Sequence, residues 1–100
     1  MARLFIDLRT EFARTEFRLI DVHLIKRITP KRAQDIYVEF VPTPSGDLRT
    51  GIRVTEVTEL TTGSYFLVLR LLDRRGASIG MASSIVTLRG DQTVTMVIPR

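Results

Sequence analysis

The second half of the chain alternates between apolar-rich stretches and short polar turns. The stretches cover residues 51–60, 64–72, 77–88 and 92–98, and the turns between them cover 61–63, 73–76 and 89–91. Every turn contains glycine, and two contain aspartate. These residues suit tight turns, because glycine tolerates a positive φ and aspartate bonds to its own backbone. The pattern predicts a β-meander.

Alternation also predicts two strands in the first half. Polar residues separate the apolar ones with a period of two, as expected for a half-buried strand. The alternating apolar positions are Leu4, Ile6 and Leu8 in the first strand and Ile36, Val38 and Phe40 in the other. In the first, the even positions should face a core.

Residues 11–28 admit two interpretations, since they contain neither glycine nor proline. As a helix, the segment gathers its apolar residues on one arc and stops at Thr29 and Pro30. As a strand over 17–28, it places Ile20, Val22, Leu24 and Ile28 on one face and Asp21, His23 and Arg27 on the other. The strand is favoured, because several of the apolar residues are β-branched.

Two later strands have irregular patterns. The spacing of Val54 and Val57 changes parity and predicts a bulge near Thr55 and Glu56. The strand that begins at Tyr65 is apolar on both faces, so we expect it to be central. Its second face then needs a cover, either another part of the chain or a neighbouring subunit.

Together these elements predict an all-β fold, an antiparallel β-sandwich of about seven strands that is immunoglobulin-like in broad architecture. The alternatives are a small β-barrel, or an α+β fold in which residues 11–28 are helical. At 100 residues and 44% apolar content, the chain should form a single β domain over residues 1–100.

The composition gives no sign of an oxidising compartment, because cysteine is absent. Asp7 and Arg9 interrupt the N-terminal apolar residues, so no signal peptide is expected. The longest wholly apolar run, residues 65–69, is too short to span a bilayer. We therefore expect a cytoplasmic protein, or part of a particle assembled inside a cell, with no membrane partner.

Catalytic chemistry is poorly represented. His23 is the only histidine, no serine lies in a nucleophile elbow, and no glycine-rich phosphate loop is present. The sequence therefore predicts a protein that is not an enzyme, with no catalytic, cofactor-binding or metal-binding residues and no cofactor.

Arginine dominates the basic residues, with 13 among 15, and the net charge is +4. Two basic clusters stand out: one is Lys26, Arg27, Lys31 and Arg32, and the other is Arg70, Arg74 and Arg75. Such clusters can neutralise phosphates while neighbouring aromatic rings stack bases. These residues are the candidate contacts for a partner or for nucleic acid.

Two hypotheses for function follow. The first is a non-catalytic interaction or assembly module, a structural subunit of a larger or homo-oligomeric complex. It depends on the missing catalytic groups and on the doubly apolar central strand. The alternative is a basic β-barrel that binds single-stranded nucleic acid through the two clusters.

Overall fold

The computed structural model describes residues 1–100, and it contains seven β-strands and no helix. The strands are β1 (Ala2–Thr10), β2 (Leu19–Thr29), β3 (Arg32–Pro42), β4 (Ile52–Leu60), β5 (Gly63–Leu72), β6 (Ser78–Leu88) and β7 (Gln92–Ile98). The predicted all-β fold of about seven strands is confirmed. The helical alternative for residues 11–28 is wrong, since most of that segment forms β2.

The strands form two sheets that make a sandwich. One sheet has the order β4-β1-β7 and the other has the order β3-β2-β5-β6. All neighbouring strands are antiparallel except β1 and β7, which run parallel. The overall dimensions are 38 × 27 × 19 Å, and the open edges belong to β4, β7, β3 and β6. The barrel alternative is therefore wrong, because the two sheets do not close on each other.

The core lies between the sheets and is built from alternate residues of each strand. Leu4, Ile6 and Leu8 of β1 are fully buried, as their alternation predicted. The opposing sheet supplies Ile20, Val22 and Leu24 of β2, together with Leu67, Leu69 and Leu71 of β5. Full burial of one such side chain stabilises the fold by about 1.5 to 3 kcal/mol, so these central strands dominate its stability.

The predicted faces of β2 are correct except at Ile28. On the predicted inward face, Ile20, Val22 and Leu24 are buried, but Ile28 is 51% exposed. The pairing of β2 with β5 ends at Ile25, and the register with β3 shifts between Arg27 and Thr29. The end of the β2–β3 hairpin thus extends beyond the core, so alternation no longer implies burial there.

The irregularity predicted in β4 occurs on either side of the predicted position. Thr55 and Glu56 pair regularly with β1, whereas extra residues lie between Arg53 and Thr55 and between Val57 and Leu60. Within the second irregularity, Glu59 has a φ of 59°. Each extra residue restores the inward direction of the apolar positions that follow it.

Strand β5 is central, as predicted, with β2 and β6 as its neighbours. Its inner face is buried through Tyr65, Leu67 and Leu69. Its outer face carries Phe66 and Val68, and no other segment of the chain lies over it. Residues 19–25 of β2 pair beside β5 and do not lie across it.

Candidate interaction surface

The outward side of the β3-β2-β5-β6 sheet forms a flat surface of twelve residues, which we call the outer face. Cross-strand pairing arranges them in three rows, each written in the order β3, β2, β5, β6. The upper row is Phe40, Asp21, Arg70 and Met81; the middle row is Val38, His23, Val68 and Ser83; the lower row is Asp35, Ile25, Phe66 and Ile85. Seven of the twelve are apolar.

Large apolar side chains are exposed on this face. Phe40 is 57% exposed, Met81 55% and Ile85 74%, and Val38 and Phe66 are also exposed. A sixth exposed apolar residue, Ile36, is the extra residue of a bulge in β3 beside Asp35. Only three other large apolar residues are exposed in the whole chain: Met1, Ile28 and Val97. Exposed apolar surface is therefore concentrated on one side of the molecule.

The orientation of β3 explains part of this concentration. Its inward positions are Tyr37 and Glu39, while Val38 and Phe40 point outward. Glu39 Oε1 accepts hydrogen bonds from the Tyr37 hydroxyl and from Thr55 Oγ1, the latter at 2.6 Å. These bonds link the edges of the two sheets, and burial together with the Glu39 contact raises the pKa of Tyr37.

An ionic cluster lies within the apolar surroundings of the outer face. Asp21 is fully buried beneath its neighbours, and Arg70, which is 42% exposed, donates from Nε to Asp21 Oδ2 at 2.9 Å and again from Nη2. On β2, His23 Nε2 lies 2.7 Å from Asp21 Oδ1, and His23 Nδ1 lies 3.5 Å from Asp35 Oδ1. The cluster joins β3, β2 and β5 on their outward side.

The bonding of Asp21 is incomplete. Both bonds from Arg70 go to Oδ2. His23 Nε2 is close to Oδ1, but Oδ1 accepts no hydrogen bond, so it is a buried acceptor with only this ionic contact. Buried polar atoms nearly always have a partner, because leaving one unpaired costs about 1 to 3 kcal/mol.

The outward side of the other sheet is different in character. Arg53 pairs with Asp7 and stacks over the Phe5 ring at 4.7 Å, while Arg3 lies 3.6 Å from Glu56. These charged pairs lie in solvent, where each contributes at most about 1 kcal/mol. This second side has the ordinary polar character of a sheet facing water.

The first predicted basic cluster lies at the β2–β3 hairpin. Lys26 is directed toward the inner side, where Nζ is 3.0 Å from Thr61 Oγ1 and 5.4 Å from the Tyr65 ring centre. Arg27 donates to the carbonyl of Pro30 at 2.7 Å. Lys31 and Arg32 are exposed near the tip and take part in no ion pair.

The structure divides the second predicted cluster. Arg74 and Arg75 are exposed in the β5–β6 turn, whereas Arg70 lies on the outer face and is engaged by Asp21. This turn lies at the Leu19 end of β2, and the first cluster lies at the opposite end, beyond Ile25. Six residue steps along β2, about 20 Å, separate those two ends.

The structure brings together a third group of arginines that the sequence did not indicate. Arg14, Arg18 and Arg74 line a groove of about 370 Å³ together with Thr43. None of the three takes part in an ion pair. Arg14 and Arg18 lie four residues apart, but Arg74 comes from the distant β5–β6 turn, so sequence spacing could not have added it to the group.

Sequence reasoning also missed the ionic cluster as a unit, although the signal for part of it was present. Alternation puts Asp21 and His23 on the polar face of β2, but nothing in the sequence gives the register that sets Arg70 opposite Asp21. No group of three or more His, Asp or Glu side chains is arranged to hold a metal ion.

No match was found when the chain was compared with protein-family models, with curated proteins and with solved structures. None of its structural elements is a helix that is long and apolar enough to cross a membrane. Any assignment of function therefore depends on the surface geometry described above.

Proposed function

We propose that this protein is a non-catalytic interaction and assembly module that binds a protein through the outer face. The observation that carries this proposal is the concentration of exposed apolar residues around the ionic cluster. Six of the nine exposed large apolar residues belong to or adjoin this one surface. Contiguous apolar surface rimmed by polar groups is typical of protein–protein interfaces.

The asymmetry between the two sheets supports the same proposal. Both sheets bury their inner sides in one core, so folding by itself requires nothing apolar on either outer side. The β4-β1-β7 sheet fulfils that expectation with charged pairs, whereas the outer face does not. A protein partner would remove Phe40, Met81 and Ile85 from water.

The test is the accessibility of the outer face inside the cells that make the protein. Because the chain has no cysteine, Ser83→Cys on the outer face gives a single reactive thiol. Thr95→Cys gives the matched control, since it is also an exposed hydroxyl position on an edge strand, but of the other sheet. We expect a membrane-permeant maleimide to label the Thr95→Cys variant readily and the Ser83→Cys variant several-fold more slowly.

Equal labelling of the two variants in cells would contradict the proposal, because it would mean that no partner covers the outer face. Labelling of both purified proteins after unfolding in urea provides the reference for intrinsic thiol reactivity. Thermal unfolding of each variant verifies that neither substitution changes the fold.

The second candidate function is binding of single-stranded nucleic acid, and one observation favours it. Phe40 and Phe66 are exposed on the same sheet, where their rings could stack bases, and the basic hairpin residues lie beyond the lower row. Asp35 on the same face weighs against it, because its exposed carboxylate would repel phosphates. Titration with a labelled oligonucleotide at rising salt tests it: binding should weaken steeply, and Lys26, Arg27, Lys31 and Arg32 changed together to alanine should abolish it.

A further inference from the structure

We infer that the free edge of β6 pairs antiparallel with β6 of a second copy of this chain, so that two β3-β2-β5-β6 sheets join into one. This inference goes beyond the proposed function, because it concerns the edge of that sheet and not the outer face. It is argued from the contrast between β6 and the other three edge strands.

Strand β6 has a regular backbone with one unused hydrogen-bonding side. Residues 80–88 pair without interruption with residues 63–71 of β5, and the register shifts only before them, at Ile79. The seven backbone hydrogen bonds outside the strand ladders include none from β6. Alternate N–H and C=O groups of β6 therefore point away from the sheet, where they form a template for another strand.

Nothing along residues 80–88 blocks such pairing. Proteins protect free edges with charged side chains, prolines, bulges or very short strands. Strand β6 is eleven residues long and contains neither a charged residue nor a proline. A strand from another molecule could therefore approach it without burying a charge.

The other three edges carry the protection that β6 lacks. Strand β3 contains Asp35 and Glu39, has a bulge at Ile36 and ends at Pro42. Strand β4 contains three charged residues and two irregularities of register. Strand β7 is uncharged, but it is only seven residues long and Pro99 follows it directly. Strand β6 is therefore the one long edge that is open to pairing.

The side chains of β6 are complementary to a second copy of themselves. In a two-fold antiparallel pair centred on Ser83, Met81 lies opposite Ile85 of the second copy, and the same contact occurs twice. Both side chains lie on the outer face and are 55% and 74% exposed in the single chain. Centring the pair on Ser84 would instead set Met81 against Thr87 and Ile85 against Ser83. Contact of apolar with apolar side chains selects Ser83 as the centre.

Pairing through β6 produces a closed dimer and not a fibre. The two-fold axis uses the β6 edge of each copy once, and the joined sheet ends on both sides at the protected strand β3. Eight strands lie within the size of ordinary sheets. The outer faces of the two copies also become one continuous surface, since Ser83 and Ile85 of each copy border the joint.

The first experiment measures mass and charge dependence on the purified chain. Sedimentation equilibrium should give a mass that rises with concentration from the 11.4 kDa monomer to twice that value. Ser83→Lys and Ser83→Glu should each weaken the dimer by about tenfold, because like charges would lie opposite each other at the centre. An equimolar mixture of the two variants should recover the dimer. Thr95→Lys, an exposed hydroxyl position on β7, is the matched control and should leave the dimer unchanged.

The second experiment tests the centre of the pair by disulfide formation. The chain has no cysteine, so Ser83→Cys carries a single thiol. Residues directly opposite in an antiparallel pair have Cα atoms about 4.5 to 5.5 Å apart, which suits a disulfide, so mild oxidation should link two copies of this variant. Thr87→Cys is the control on the same strand and face. Its two copies would lie about 27 Å apart and should remain unlinked.

The outcomes are decisive for this inference. A monomeric mass at all concentrations would overturn it, and so would a dimer that Ser83→Lys does not weaken or that the mixture of variants does not recover. A disulfide in Thr87→Cys without one in Ser83→Cys would overturn the pairing centred on Ser83. A concentration-dependent dimer with both charge recovery and the Ser83→Cys disulfide is the result expected.

The proposed function fails or holds separately from this pairing. Val68→Cys places a thiol at the middle of the outer face on β5, one strand away from the β6 edge. Its protection from maleimide in cells reports a protein over the outer face. Ready labelling of Val68→Cys in cells, together with a Ser83-centred dimer in solution, would contradict the proposed function and support the pairing of β6.

Discussion

At the scale of single residues, Asp21 is the most constrained position in the molecule. It is fully buried on the outward side of a sheet and depends on Arg70 for its hydrogen bonds. A buried carboxylate needs such a partner, because desolvation otherwise disfavours its charge. The pair therefore holds β2 and β5 in register as well as contributing to the surface.

We expect Arg70→Met to destabilise the fold by about 2 kcal/mol, because it removes both hydrogen bonds that the buried Asp21 carboxylate accepts. The expected loss is below the value for a fully buried pair, since Arg70 is 42% exposed. Urea unfolding at low protein concentration, where association does not contribute, measures it. Asp21→Asn combined with Arg70→Met should recover part of the loss.

Arg74→Met provides the control for that prediction. Arg74 is exposed in the β5–β6 turn and has no ion pair, so its replacement should change the free energy of unfolding by less than about 0.5 kcal/mol. If Arg70→Met cost as little as Arg74→Met, the ionic cluster would have no structural role.

At the scale of elements, β3 shows that burial in an edge strand can differ from what its apolar pattern predicts. Apolar alternation alone favours burial of Val38 and Phe40, yet Tyr37 and Glu39 point inward. The inward residues find partners on β4, since Glu39 accepts hydrogen bonds from Tyr37 and Thr55 at the margin of the core. An edge position tolerates this choice, because a polar group there is only partly removed from water.

Strand β6 depends on the absence of a side chain at Gly80. A Cβ atom at this position would lie 2.9 Å from Ile98 Cγ2 and 2.9 Å from Phe12 Cε2. Ile98 is fully buried and cannot move aside freely. We expect Gly80→Ala to destabilise the fold by about 1 to 3 kcal/mol through overpacking, as measured by thermal or urea unfolding.

Gly90→Ala is the matched control in the neighbouring turn. A Cβ atom there meets nothing within 4 Å, and Gly90 is not among the glycines with positive φ. Its replacement should be neutral or slightly stabilising, because alanine restricts the unfolded chain. Equal destabilisation by both substitutions would refute the close approach of β6, β7 and Phe12.

At the scale of the whole molecule, the two outward sides of the sandwich differ in the residues that they present to solvent. Charged pairs cover the β4-β1-β7 sheet, and apolar residues surround the ionic cluster on the outer face. Four edge strands remain open, and β3 and β6 border the outer face. A protein partner bound to the outer face, as proposed above, would bury the apolar side while leaving those edges free.

The Glu16 side chain connects the segment between β1 and β2 with Arg100, which follows β7. Glu16 Oε2 accepts hydrogen bonds from Arg100 and from the Ala13 N–H, the latter at 2.7 Å. The hydrogen bond from Arg100 and, to a smaller extent, the hydrogen bond from the Ala13 N–H hold the pKa of Glu16 below its usual range. Arg100 also lies over the Phe12 ring, 5.1 Å from its centre.

The contact between Glu16 and Arg100 predicts that stability depends on pH. Because the pKa of Glu16 is lower in the folded state, its contribution is present above about pH 4.5 and is lost as pH falls through the folded pKa. Glu16→Gln should therefore flatten the acid side of a plot of melting temperature against pH. Glu11→Gln, an exposed neighbour without a hydrogen bond, should leave that plot unchanged.

The sequence by itself determined the strands and the composition of the core. Alternation in β1 and β2 placed Leu4, Ile6 and Ile20 inside, because a period of two allows only one face to be buried. Turn residues marked the hairpins, and the doubly apolar β5 indicated its central position. These are local properties, readable from neighbouring residues.

Only the tertiary structure decided what the outward surfaces carry. Whether Phe40 faces the core or solvent depends on which side of β3 finds partners on β4, and the pairing of Asp21 with Arg70 depends on a register across 49 residues of chain. The groove of Arg14, Arg18 and Arg74 arises in the same way. Strand register and sheet order are set by long-range packing of the core, so the residues that meet on a surface cannot be read from the spacing of the residues that form it.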